Sequence, residues 1–477
     1  MVGDAVRYHA RWILPITAAP IANGTLIEEQ GRIVWIGPRA EAPPAGARTR
    51  DAELGDVIVL PGLVNVHAHL DLSVMRGFLE DLPFGTWIRT LTKAKKTVLD
   101  RDALLDSARL SLVEGLRSGV TTVAETSDTG VAIEAMRELR VRGISYQEVF
   151  GPDPATCDEK MRELREAVAD LSRYETERVR AGISPHAPYS VCDALFTAAA
   201  RFAIEEKLPM AIHIAESADE MRYVSHGEGD FADSQRDRGF VLAPRGRTPI
   251  EMLERTGALE ANPLLIHCVR VDDADIATIA RHDCAVAHCP AANAKLGHGI
   301  APLREILDAG IHVGLGSDSV ASNNRMDILA EARLAALFQR VRLGSPDCLT
   351  AEQALTLATI GGARALGLDH EIGSLEVGKF ADFAVFSLGV PNAIPTTDPV
   401  TAAVFSLAGG GASLVAIEGE PLVMRGSVEG DSPELRARVQ AAADRLAEWR
   451  SHSSSLRRPP AVRPVNGGSL VAIMAPL

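Results

Sequence analysis

The chain has 477 residues, 46% hydrophobic and 23% charged, enough to bury a large core and more than one compact unit ordinarily holds. A formal net charge of −14 at pH 7 repels nucleic-acid backbones and anionic membranes, and no run approaches the roughly 18 apolar residues of a spanning helix, so small molecules are the expected partners. The six cysteines, at 157, 192, 268, 284, 289 and 348, form no C-x-x-C pair, and the signal-like stretch from Trp12 to Ala22 carries two prolines and no clean apolar core. Both observations suit a cytoplasmic protein.

Residues 1–60 hold short apolar stretches between turn signals, such as Asn23-Gly24 and Gln30-Gly31, and read as a strand meander. The same texture returns from 373 to 430, so the two flanks are expected to pair into one small β-sandwich domain. Between them, residues 61–372 alternate short apolar runs with helical stretches, the pattern of βα units. Eight runs stand in order: Leu63–His69, Val120–Glu125, Ile144–Phe150, Val179–Ser184, Met210–Ile214, Leu264–Cys268, Cys284–His288 and His312–Gly316. Helices are predicted between them at Arg101–Leu116, Glu159–Leu171, Asp193–Glu206 and Asp272–Arg281. Eight such units close a (β/α)8 TIM barrel, an α/β fold whose active site lies at the carboxyl ends of the strands. Residues 431–477 are expected to form a helix, Ser432–Trp449, followed by a loose Ser/Arg/Pro-rich tail.

The carboxyl ends of the runs carry the chemistry. His67 and His69, two apart on a strand, point to one face at a separation of roughly 6.6 Å, within reach of one ion. Run four leads to His186, run five to His213 with Glu216 three residues on, run six to His267 and run eight to Asp318. Five histidines and two carboxylates therefore converge on one mouth.

The motifs Pro61-Gly62-Leu63-Val64-Asn65-Val66-His67-Ala68-His69, His213-Ile214-Ala215-Glu216, Leu265-Ile266-His267-Cys268, His288-Cys289-Pro290 and Gly316-Ser317-Asp318 together resemble the amidohydrolase superfamily. The resemblance is to the mononuclear aminohydrolase branch of adenosine-type, guanine, cytosine and triazine deaminases. It implies one divalent metal ion per chain on His67, His69, His213 and Asp318, with zinc expected and ferrous iron the alternative, a donor set that suits either ion. The lysine that binuclear relatives use is absent from runs three and four. The resemblance further implies Glu216 as the proton shuttle to a substrate ring nitrogen, His267 as a hydrogen-bonding partner of the attacking oxygen, and Asp318 as carrier of the second proton, so that the amine leaves as ammonia. His186 and Trp87 correspond to substrate-contacting positions.

The substrate implied is an amino-substituted N-heterocycle, with adenine nucleoside analogues such as 6-aminodeoxyfutalosine or a 5′-modified adenosine in front. Lys96 departs from relatives acting on S-adenosylhomocysteine or methylthioadenosine, which carry a ribose-binding glutamate there. Free bases, pterins and triazines, or a chloride or cyclic-amide leaving group, are alternatives on the same site. A non-catalytic assembly protein of the dihydropyrimidinase type is disfavoured by the intact ligand set. A homo-oligomer, dimer or tetramer, remains open. Arg76 reads as a structural loop residue, and His226, His282, His298, His312 and His370 read as surface or packing residues. The P-loop-like Gly373–Lys379 stretch ends in Phe380 where Ser or Thr belongs and reads as a turn.

Overall fold

The computed structural model describes residues 5–452. The amino-terminal flank supplies strands β1 (Ala5–Ile13), β2 (Ile21–Glu29), β3 (Arg32–Pro38) and β4 (Thr49–Pro61). The β2–β3 hairpin turns on Gln30 and Gly31, both at positive φ (53° and 81°), which matches the twist of the paired strands.

All eight expected runs are strands: β5 (Leu63–His69), β6 (Val120–Ser127), β7 (Arg142–Val149), β8 (Val179–Pro185), β9 (Ala211–Ile214), β10 (Leu264–His267), β11 (Val286–His288) and β12 (Val313–Leu315). β5 to β8 pair in chain order as one parallel sheet, and β9 to β12 as another. A parallel bridge between Ile183 and Met210 touches the two sheets at one seam. At the other seam a two-residue strand, β13 (Asp318–Ser319), returns to pair with Ala68 and His69 of β5. Every residue of β6 and β7 is buried, as in parallel strands covered on both faces, and this includes the polar Glu125, Arg142, Gln147 and Glu148.

Helices Arg101–Arg117, Cys157–Leu171, Asp193–Glu206 and Asp273–Arg281 lie where the helical periodicity put them. Asp100 caps the first by accepting the Ala103 N–H, and Asp272 forms a capping box with Asp275 on the last. A further helix, Phe84–Val98, follows β5 and is tied down by Lys95, whose Nζ lies 2.9 Å from Asp71 and 2.6 Å from Asp128.

The carboxyl-terminal flank adds β14 (Phe383–Ser387), β15 (Leu414–Ile417), β16 (Glu420–Met424) and β17 (Ser427–Val428). β4 is thirteen residues long and bonded on both edges, parallel to β1 and antiparallel to β14, so the flanks do join. The hydrogen-bonded ladder is a single mixed sheet in the order β17-β16-β15-β14-β4-β1-β2-β3, where the sequence suggested a sandwich. Ile13, Leu26, Val59, Phe383 and Val385 form a core of their own in this sheet.

Arg142, at the amino end of β7, locks the flank sheet to the parallel strands. Its guanidinium is 4% exposed and reaches Asp382 (3.1 Å) and Glu418 (2.7 Å), with the Phe380 ring 4.6 Å away. Gly378 and Lys379, in the P-loop-like stretch, exchange backbone hydrogen bonds with Ile33 and form part of a turn at this junction. The last described helix, Pro433–His452, is held to Arg101–Arg117 by the Arg438–Asp106 pair, and the expected tail beyond it lies outside the described residues. Among the described residues no helix is long and apolar enough to cross a membrane.

Candidate metal-dependent active site

β5 presents His67 and His69 on one face, and β9 presents His213 toward them. The three rings have centroids 4.9 Å (His67–His69), 4.9 Å (His67–His213) and 5.4 Å (His69–His213) apart, with one nitrogen from each lying within 4.8 Å of the others. Asp318 completes the set: its Oδ1 is 3.2 Å from His67 Nε2 and 3.5 Å from His69 Nε2. Donors held tetrahedrally at the usual zinc–nitrogen distance are separated by about 3.4 Å, so this spacing fits one ion at a common centre. Burial pushes the His67 imidazole down to about 4 against the opposing hydrogen bond of Asp318, which leaves it neutral, the state in which imidazole binds metal. The Asp318 carboxyl, despite burial, is held below the usual range by its hydrogen bond with His67.

The surrounding contacts fix these side chains. The His186 carbonyl lies 3.3 Å from His213 Nδ1; a carbonyl can only accept, so that nitrogen carries the hydrogen and Nε2 is left free for an ion. Ser322 donates to Asp318 Oδ2 at 2.8 Å. Asn65 bonds both the Ser317 N–H (3.0 Å) and its hydroxyl (2.8 Å), stitching β5 to the segment that delivers Asp318.

Glu216 lies beside this cluster, buried. Its Oε1 is 3.6 Å from His267 Nε2 and 3.2 Å from His298 Nε2. Burial alone would raise the Glu216 carboxyl, but the two imidazoles outweigh it and hold it low. Asn293 accepts from His267 Nδ1 at 3.0 Å, which turns Nε2 toward Glu216. His298 corrects the sequence reading: it is neither a surface residue nor mere packing, since it is 4% exposed and contacts the carboxylate directly. It escaped notice because it ends no strand. It enters from the loop after the helix Pro290–Lys295, between Gly297 and Gly299, both at positive φ.

His69, His186, His213, Glu216, His267 and Asp318 line a cavity of about 60 Å³ together with Trp87, Tyr189 and several apolar side chains. His186 is oriented by Ser190 (Nδ1–Oγ 2.7 Å), and Trp87 is stacked on Phe84. Every residue predicted for the site lines this cavity except His67, which lies behind it in contact with His69, His213 and Asp318. Arg76 pairs with Glu114 and bonds the Asn324 carbonyl, as a structural residue would. A roomier cleft of about 420 Å³ beside Arg117, Arg325 and Asp327 lies apart from all of these groups, so chemistry rather than volume locates the site.

Parallel strands that deliver three neutral imidazoles and a carboxylate to one centre, with a second buried carboxylate alongside, define the class of metal-dependent hydrolases. The family profile described as "Amidohydrolase family" matches residues 58–422. The chain belongs to that family. It is 32% identical over 429 residues to the 5-methylthioadenosine/S-adenosylhomocysteine deaminase of Moorella thermoacetica, covering 90% of this chain and 96% of that protein. Among solved structures it resembles a zinc-bound adenosine deaminase from Xanthomonas campestris, with a TM-score of 0.82, 27% identity and coverage of 93% and 98%. It also resembles the zinc-complexed atrazine chlorohydrolase of Arthrobacter aurescens TC1, with a TM-score of 0.79, 25% identity and coverage of 92% and 100%.

Proposed function

We propose that the chain is a hydrolytic deaminase that releases ammonia from an adenine nucleoside analogue, with His67, His69, His213 and Asp318 holding one zinc ion. The observation that carries this reading is Glu216, a buried carboxylate kept ionised by His267 and His298 beside the donor set. A divalent ion on these four donors supplies Lewis acidity and brings water toward ionisation near neutral pH.

The protein's own groups do the rest. Glu216 takes a proton at its carboxylate and passes it to a ring nitrogen of the substrate, which makes the amine-bearing carbon electrophilic. His267 Nε2 hydrogen-bonds the incoming oxygen, and the Asp318 carboxylate takes the proton that oxygen still carries and hands it to the departing amine. Trp87 covers the heterocycle, and His186, held by Ser190, contacts its edge. The two parallel sheets are read as one closed (β/α)8 barrel over residues 61–372, with 1–60 and 373–430 as its companion β domain and 431–477 as an appended segment, in a cytoplasmic enzyme.

The test is ammonia release by the metal-replete protein across adenine nucleosides, guanine, cytosine, pterins and triazines, with Glu216→Gln as control. Turnover of adenine nucleosides that falls by about 10²–10⁴-fold in the variant, with metal content unchanged, supports the assignment. The likeness to a chlorohydrolase favours one second reading, a chlorotriazine substrate on the same donors. Chloride release without ammonia would select it.

A further inference from the structure

Outside the catalytic cavity lies a second, open cleft of about 400 Å³, and Ile88, His186 and Tyr189 stand in the walls of both, so the two adjoin across these three side chains. The inner space is small beside the roughly 300–1,000 Å³ of ordinary ligand pockets, so atoms beyond a planar ring belong in the outer one. The outer lining includes Arg89, Lys93, Lys96 and Arg238, and no carboxylate. That is a local excess of positive charge on a chain whose formal net charge is −14.

Three of the cations come from the helix Phe84–Val98 at spacings of four and three residues, which puts Arg89, Lys93 and Lys96 on one exposed face. Lys95 points the other way and is neutralised by Asp71 and Asp128. Among the described residues none of the four outer cations forms an ion pair; Lys93 and Arg238 instead lie over the rings of Trp449 and Phe240, at 6.0 and 5.2 Å. The remaining wall is aromatic, with Phe150 37% exposed and Tyr189 stacked on Phe231 at 4.0 Å. A cleft with an aromatic wall and four cations outside any close ion pair, with Asp128 the acid that Lys96 feels and Glu148 set behind His186, suits a flat or apolar linker that ends in an anion.

We propose that this outer chamber is an anion-binding subsite, and that the aminoheterocycle deaminated at the inner site carries a carboxylate or phosphate group held by Lys93, Lys96, Arg89 and Arg238. The proposal takes the deaminase reading as its basis, but its test is a binding preference that can be measured without turnover.

Metal-loaded Glu216→Gln protein is titrated by calorimetry with adenosine 5′-phosphate, adenosine 5′-carboxylate, adenosine and 5′-deoxyadenosine. At least one anionic ligand is expected to bind about tenfold or more tightly than both neutral ones, and that advantage shrinks as salt rises from about 50 to about 500 mM. Which of the two anions gains separates a phosphate from a carboxylate specificity. Lys93→Glu with Lys96→Glu, both on the exposed face, reduces the preference to near unity. Equal binding of all four ligands, binding of none, or a preference that survives the charge reversals overturns the proposal. Ammonia release by the wild-type protein is read separately: silence there rejects the deaminase reading while the calorimetric preference still decides the subsite.

Discussion

The flank sheet and the active-site mouth both hold residues in the left-handed backbone region, for different reasons. In the flank the hairpin turns are pairs ending in glycine, Gln30-Gly31, Glu418-Gly419 and Arg425-Gly426, each between antiparallel strands and each with φ between 50° and 81°. They reverse the chain. At the mouth, besides the glycines on either side of His298, the residues Ala215 (φ 50°), His267 (79°), Cys268 (45°) and Asp318 (56°) are left-handed at or beside strand ends, and none of these four is glycine. There the conformation aims side chains, at a cost of about 1–2 kcal/mol per residue that the rest of the fold must offset. One region is organised for stability and the other for direction.

If that division is right, damage to the flank should cost stability and spare chemistry. Arg142→Ala leaves Asp382, 2% exposed at its side chain, without its buried partner, and should lower unfolding free energy by about 3–5 kcal/mol. Urea unfolding measures the loss. Because Arg142 lies at the amino end of β7, away from the mouth, kcat per folded molecule is expected to stay within about twofold, a difference below 0.5 kcal/mol. A large fall in kcat in the folded fraction would show that the two regions are coupled.

Metal removal makes the converse cut. An ion bound at about 100 times its dissociation constant stabilises the native state by about 2.7 kcal/mol, and chelation should withdraw that amount. Hydrogen exchange should then rise first around His67, His213 and Asp318, while amides of β1, β2 and β4 keep their protection. Uniform loss of protection would contradict the separation.

His298→Ala comes next in size. It removes one of the two imidazoles beside Glu216, a charge-assisted contact of about 1.5–3 kcal/mol, so kcat should fall by about 10–100-fold with little change in KM. The pH profile of kcat should shift upward on its acidic limb, because the lost imidazole is one of the groups that hold the Glu216 carboxyl low. A purely structural histidine would lower stability and leave that limb unmoved.

His298 also marks how far the sequence could be read. The eight strands, the helices between them and His67, His69, His213, Glu216, His267 and Asp318 were legible because strand ends and short spacings place side chains by local geometry. β13 was not: two residues carry no periodicity, and Asp318–Ser319 becomes a strand only because β5 offers it an edge. His298 reaches Glu216 through a loop with a glycine on either side, and nothing local fixes where such a loop goes. The outer cations were not legible either: Arg89, Lys93 and Lys96 share a face only on the helix Phe84–Val98, and the cleft they line exists only once Arg238, Phe150, Tyr189 and Phe231 from other segments join them.

The smallest effect is the sharpest test of the opening contrast. Gly426→Ala puts a Cβ where only the Ala412 carbonyl oxygen comes within 4.0 Å, so the cost is the left-handed backbone itself, about 1 kcal/mol, with activity unchanged. Ala215→Gly runs the other way. Relief of a left-handed alanine is offset by about 0.4–1 kcal/mol of extra unfolded-state freedom, so Tm should hardly move. Yet Ala215 stands between His213 and Glu216, and its N–H is bonded to Glu220 at 2.8 Å, so a looser backbone there lets the carboxylate wander from the donor set. Activity should drop about threefold to tenfold while stability holds, since a displacement of order 1 Å can cost up to about a hundredfold. If Ala215→Gly instead moves Tm and spares kcat, the mouth's left-handed residues are turns like those of the flank.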